Sequence, residues 1–388
     1  MLTPKIENVS QRKNLQVIFM ATLINAMSVA SIAPAFPRIV ERFHLVPQSI
    51  GLLITVFTLP GLFLAPVIGV LGDRLGRKKI LVPSLFLFGI AGGLCAFTRQ
   101  YHLLLIFRFV QGIGAAAIGL LNITIIGDLF SGKERTAAMG YNASILSLGV
   151  AVYPLIGGAM ALLEWFYPFY LAFLGIPVGV LVLIYLKNPE PKNNELLKNY
   201  LLEAWRNVRK CSVIRLFLMT FFTFIVLYGS YLTYFPLLLH DRFKASSFII
   251  GLLMFVLSAS AAVTSTRLGQ LSQWLSSKSL LKIGFLFYAL SMATLPFLFN
   301  LWAIILPAVI FGVGNALVLP TIQSLLADRA AMENRAAFMS INGMVLRLGQ
   351  TLGPIVMGSV AALWGIRSVF FAGAVITVFV ILFVIRKI

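Results

Sequence analysis

The chain has 388 residues, of which 60% are hydrophobic and 11% charged, and its mean hydropathy is +0.96. Soluble domains carry about a quarter charged residues, so this composition excludes a water-soluble globular fold. The formal charge of +19 does not point to nucleic acid, because the basic residues lie in short segments between apolar runs, the pattern of membrane topology.

Residues 1–13 are polar. The apolar run that follows is too long and uninterrupted for a cleaved signal peptide, and reads as a retained span. Twelve spans are predicted, at 15–37, 49–71, 80–98, 102–127, 139–161, 168–186, 213–238, 248–268, 280–299, 301–325, 339–362 and 367–385. Each is long enough for the roughly 20 residues that cross about 30 Å of hydrocarbon. The expectation is an all-α integral membrane protein. It has an N-terminal segment 1–14, a six-helix bundle 15–186, a linker 187–212, a second six-helix bundle 213–385 and a C-terminal segment 386–388. Cys95 and Cys211 show neither a disulfide framework nor a metal spacing, and no metal or cofactor is expected.

The sequence is written twice. Ile50-Gly51-Leu52-Leu53 returns as Ile250-Gly251-Leu252-Leu253, and Gly112 and Gly114 return as Gly312 and Gly314. Asp128, Arg135, Gly149 and Pro154 have echoes in Asp328, Arg335, Gly349 and Pro354, all at one offset of 200. Halves that keep register through several spans predict two parallel bundles related by a pseudo-twofold axis along the membrane normal, a layout of secondary transporters. Alternate inter-span segments hold 23 of the 31 basic residues, including both chain ends and the linker. The positive-inside bias therefore places both termini in the cytoplasm. Within the linker, Leu197, Leu201, Leu202, Trp205 and Val208 share one helical face. That face fits a short helix lying on the inner leaflet, or else a plain solvated connector.

After the second span comes Gly69-x-Leu71-Gly72-Asp73-Arg74-x-Gly76-Arg77-Lys78-Lys79. Its glycines permit a tight turn, and Asp73 ends one span within reach of the arginines that begin the next. This segment resembles the signature of the major facilitator superfamily, and the resemblance extends over about residues 15–385. It implies the twelve-helix major facilitator fold, with two pseudo-symmetric six-helix bundles. It further implies a conformational switch built from Gly69, Asp73, Arg74, Gly76 and Arg77, with Asp128 as the third member of a charge network. Arg74, Lys78 and Lys79 also serve as topology anchors. The second-half copy, 269–278, keeps Gly269 and Lys278 but has lost the aspartate and arginines.

The fourth span contains Arg108-x-x-Gln111-Gly112-x-Gly114, which looks like the family's second motif. Arg108 lies about 9 Å inside the span, either snorkelling or facing a central cavity with Gln111. In the fifth span, Gly149-x-x-x-Tyr153-Pro154-x-x-Gly157-Gly158 resembles the motif of the drug–proton antiporter branch, departing from it at Tyr153, where glycine is usual. The eleventh span carries Gly349, Gly353 and Pro354. These segments are expected to shape packing between the halves. Arg347 lies about 12 Å inside the eleventh span.

All twelve acidic residues fall between spans or at span ends, so an internal carboxylate is missing; the first span offers Asn25 instead. The seventh span is unusually aromatic, and Phe224, Tyr228 and Tyr231 can share one face. With Asn25, Arg108, Gln111, Asn315 and Arg347 they form the candidate substrate cavity.

The expected function is secondary active export of hydrophobic or amphiphilic small molecules by alternating access and proton antiport. The expected protein is a monomer in the lipid bilayer of a prokaryotic plasma membrane, the inner one where a cell has two. A proton-independent facilitator and a lipid, lysolipid or metabolite transporter stay open, as does a channel. An enzyme is not expected: no nucleophile–base arrangement, metal cluster or phosphate loop is apparent, and His44, His102 and His240 all fall near outer span ends.

Overall fold

The structure, a computed structural model, describes residues 9–187, 211–329 and 335–385. The predicted linker helix lies outside them. Among the described residues twelve helices are long and apolar enough to cross a membrane. They are α1 Gln11–Arg42, α2 Pro47–Leu75, α3 Arg77–Phe97, α4 Tyr101–Leu129, α5 Gly132–Leu163, α6 Tyr167–Tyr185, α7 Val213–Phe243, α8 Ser247–Trp274, α9 Ser277–Phe297, α10 Trp302–Arg329, α11 Ile341–Trp364 and α12 Ile366–Val384. The predicted all-α fold of twelve spans is the one observed.

The described residues group into two compact units. One holds α1 through Ile32, α2 from Val56 onward, and α3 to α6. The other holds residues 33–55 (the end of α1 and the start of α2) together with α7 to α12. The break between α1's two parts has a local cause. Its helix runs to Ala30, pauses at Ser31–Ile32, takes one 3₁₀ turn at Ala33–Ala35 and resumes at Phe36–Arg42. Pro34 and Pro37 fall at the restart, where a missing N–H costs least.

The duplication repeats in the packing. In the first unit Thr22 Oγ1 on α1 donates to Asn142 Oδ1 on α5 over 2.6 Å. In the second, Thr220 Oγ1 on α7 donates to Asn342 Oδ1 on α11 over 2.9 Å. In each case a hydroxyl and an amide pair with each other inside the unit, as buried polar groups must find partners. The α2–α4 contact is repeated too. A Cβ on Gly112 would stand 2.1 Å from the Phe57 carbonyl oxygen, and one on Gly312 2.2 Å from that of Leu257. Only glycine allows these backbones to meet.

α7 departs from regular geometry in its middle. Between α-helical Cys211–Phe224 and Phe235–Phe243, residues Ile225–Tyr234 wind as a π-helix. The Thr233 hydroxyl donates to the Tyr228 carbonyl five residues back, over 2.7 Å. Pro236 follows directly, and Gly229 lies against α11, where its Cβ would be 2.6 Å from the Gly353 carbonyl oxygen. A wide turn with a freed backbone is a common way of placing side chains at functional positions.

Candidate functional site

At the α2–α3 turn, Gly76 has φ of +98°, a conformation that L side chains rarely adopt. That turn brings the first residue of α3 back alongside α2. Arg77 is 7% exposed. Its Nη2 is 3.1 Å from Asp73 Oδ1, four residues earlier, and its Nε is 2.8 Å from Asp128 Oδ2 at the end of α4. One guanidinium thus holds carboxylates from two other helices. Asp73 is 43% exposed at its side chain and Asp128 21%, so the Asp128 pair is the less screened of the two. Gly69 leaves room beside Leu120, Gly72 lies against Leu121 and the Arg77 stem, and Arg74 is exposed. Close by, Lys78 Nζ donates to the carbonyl of Leu186 at the end of α6. Asn14 exchanges two hydrogen bonds of 2.9 Å with the Lys187 backbone.

Deeper in the same unit, Arg108 is 1% exposed. Its Nη1 donates to the Ser28 carbonyl oxygen on α1 at 3.0 Å and to Gln111 Oε1 one turn on at 2.7 Å. Its guanidinium carbon lies 4.2 Å from the centre of the Phe57 ring on α2. A desolvated guanidinium over an aromatic face is worth about 2 kcal/mol, and with its hydrogen bond to Ser28 Arg108 links α4 to both α1 and α2. Gln111 is accommodated because α3 carries Gly92 opposite it; a Cβ there would come within 2.2 Å of Gln111 Nε2. Asn25 is half-buried on α1.

The α7–α11 seam brings together three of the second unit's candidates, Phe224, Tyr228 and Arg347. Arg347 and Gln350, three residues apart on α11, are polar neighbours of Tyr228. Phe224 packs on Tyr228 at 6.0 Å between ring centres. Tyr231 points elsewhere, stacked between Phe235 at 4.8 Å and Phe311 of α10 at 5.0 Å. Tyr228 and Tyr231 therefore do not work from one aromatic face, because the π-turn changes the angular step that an α-helix gives residues three apart. Asn315 accepts from the Tyr288 hydroxyl at 3.0 Å, a contact between α9 and α10.

The motif glycines act inside each unit. A Cβ on Gly149 would be 2.8 Å from Ala26 Cβ, and one on Gly157 1.8 Å from the Ser31 carbonyl oxygen, both on α1. Gly349 and Gly353 meet α7 at Phe221, Phe224, Ile225 and Gly229 in the same way. Close approach of the first and fifth helices of each repeat is what they achieve. Tyr153 is half-buried, Pro154 and Gly158 are buried, and Pro354 receives Gly51 of α2.

Sequence reasoning missed Gln350, Phe57, Asn142 and Asn342. The last two had a usable signal in their shared offset of 200 residues; the other two are brought in by tertiary packing. No group of three or more His, Cys, Asp or Glu able to hold a metal exists among the described residues.

The family model described as Major Facilitator Superfamily matches residues 18–330 and 277–388. The chain belongs to the major facilitator superfamily. It is therefore a multi-pass membrane protein of a family that carries out secondary transport of small molecules, not an enzyme. Multidrug resistance protein 1 of Bacillus subtilis (strain 168) is 25% identical over 361 residues, covering 90% of each chain. Tetracycline resistance protein, class B, of Escherichia coli is 22% identical over 348 residues, covering 88% of this chain and 86% of that one. Among solved structures, a bacterial homolog of the human lysosomal transporter Spinster, inward-facing and unoccupied, superposes with a TM-score of 0.86 at 19% identity. That match covers 98% of this chain and 97% of the other.

Proposed function

We propose that this protein exports hydrophobic or amphiphilic small molecules by alternating access in exchange for protons, with both termini in the cytoplasm. The observation that carries the reading is the Asp73–Arg77–Asp128 network. Arg77 and its two carboxylates tie α2, α3 and α4 together at one membrane face, and a helix rearrangement there has to exchange those contacts. Asp128 is the acid best placed to couple that exchange to a proton, since protonation removes its attraction to Arg77. Gly69, Arg74 and Gly76 complete the switch by shaping and anchoring the turn.

The branch is supported by the fifth- and eleventh-span motifs and by likeness over nearly the whole chain to proteins named for multidrug and tetracycline resistance. Substrate class follows from the interior. Phe224 and Tyr228 offer apolar area beside Arg347 and Gln350, and every carboxylate lies at a span end or beyond. An organic cation entering such an interior meets no counter-charge, at a cost of several kcal/mol, so neutral and anionic amphiphiles are favoured.

The missing internal carboxylate also favours a second reading, a proton-independent facilitator of the same fold. Transport in proteoliposomes under pH gradients of either sign, with a panel of neutral, anionic and cationic amphiphiles, tests both. Export predicts accumulation of neutral or anionic compounds that reverses with the gradient. Indifference to the gradient selects the facilitator.

A further inference from the structure

The second unit contains a histidine–carboxylate contact between residues nearly two hundred positions apart. His240, in the last turns of α7, places Nε2 2.9 Å from Glu41 Oε1 in the end of α1. Its Nδ1 is 3.3 Å from the Ala245 carbonyl oxygen. Both ring nitrogens therefore face oxygen acceptors. A neutral imidazole has one donor and one lone pair, so either tautomer sets a lone pair against an oxygen. Only the imidazolium donates to both.

The pair lies where residues 33–55 are seated on the second-half helices. Thr55 Oγ1 donates to the Thr351 carbonyl at 3.0 Å, and a Cβ on Gly51 would stand 3.0 Å from Pro354 Cβ. This face is at the opposite end of the spans from Asp73, and the distribution of lysine and arginine makes it the outer one.

Other charged or titratable groups lie on the elements packed against Phe235–Phe243. They are Arg38 and Arg42 beside Glu41, Arg367 at the head of α12, and Tyr228, Tyr231 and Tyr234 in the π-turn; Arg267 is at the far end of α8. Asp241 and Arg242 are on the helix itself, with His44 and Lys244 in adjoining turns. Arg242 is directed elsewhere, to the Pro296 carbonyl and over the Phe299 ring at 4.7 Å.

We propose that His240 and Glu41 form a proton-operated latch on the outer face, in which protonated His240 holds residues 33–55 against α7 and favours the outward-closed state. Histidine is the side chain whose charge changes within the physiological range. Acid outside thus strengthens the latch, and alkali releases it. The proposal rests on the alternating-access reading above. The side chains are 28% and 62% exposed, so solvent screens the pair. The expected change in the closed-to-open ratio is about threefold, the size of an exposed ion pair.

The test uses nitroxide labels at Val46 and Asn300, two exposed positions on this face, in full-length protein in nanodiscs with native cysteines replaced by serine. The ratio of short-distance to long-distance populations should fall about threefold between about pH 5.5 and about pH 8.5. Glu41→Gln and His240→Gln should remove that response, while His240→Arg should hold the closed population at both values. Asp73→Asn is the control for the underlying conformational cycle. A pH response that survives Glu41→Gln and His240→Gln, or a wild type without one, overturns the latch. Distances that shift with Asp73→Asn but not with pH leave alternating access standing without it. Distances that nothing moves overturn both.

Discussion

Arg77 and Asp128 stand 2.8 Å apart although they begin and end different helices, and Asp73 reaches the same guanidinium from a third. A charge bound by two partners loses only part of its stabilisation when one is removed. Asp73→Asn should therefore keep the fold and the substrate affinity within a few fold while lowering turnover and shifting the conformational population. Parallel binding and transport assays check this; an affinity collapse with unchanged population contradicts it.

The two embedded arginines should separate cleanly. Arg108 is enclosed by Ser28, Gln111 and Phe57, so Arg108→Ala removes hydrogen bonds to a charged group, each worth about 1.5–3 kcal/mol. The thermal midpoint in detergent should drop strongly. Arg347 is half-buried beside Tyr228, and Arg347→Ala should instead weaken transport of anionic amphiphiles by about tenfold, the effect of 1.4 kcal/mol, and leave neutral ones little changed.

Much of this was legible in the sequence. The twelve spans followed from hydropathy, and the offset of 200 made their number secure. Asp73, Arg77 and Asp128 were readable together because a short turn and a family signature bring them close. The π-turn in α7 was not: it arises where Gly229 meets Gly353, two residues far apart in the chain. For the same reason α-helical spacing puts Phe224, Tyr228 and Tyr231 on one face, whereas in the structure Tyr228 meets Phe224 and Tyr231 meets Phe235 and Phe311. Glu41 and His240 left no trace in local periodicity, since each reads alone as a polar residue at a span end.

The repeated threonine–asparagine pairs predict unequal costs. Thr22 also accepts from Asn122 Nδ2 at 3.2 Å, and the position matching Asn122 at the 200-residue offset is Ile322. Asn142→Leu should cost about 1–2 kcal/mol, and Asn342→Leu less, since interhelical hydrogen bonds in membranes average about 0.6 kcal/mol. Thermal unfolding of both variants in one detergent measures the difference.

Glycine substitutions should sort by the space each Cβ meets. Gly112→Ala and Gly312→Ala force backbones apart, an overpacking cost of about 1–3 kcal/mol each. Gly343→Ala meets nothing within 4 Å and should be neutral or slightly stabilising, because alanine suits a helix interior better. Expression level and thermal midpoint read the contrast.

Proton-coupled export through the Arg77 network is best probed by comparing wild type with Asp128→Asn in proteoliposomes under an imposed pH gradient. Wild type should accumulate a neutral or anionic amphiphile against its gradient. Asp128→Asn should lose that accumulation while retaining downhill exchange. Gradient-driven accumulation that persists in Asp128→Asn would contradict the account.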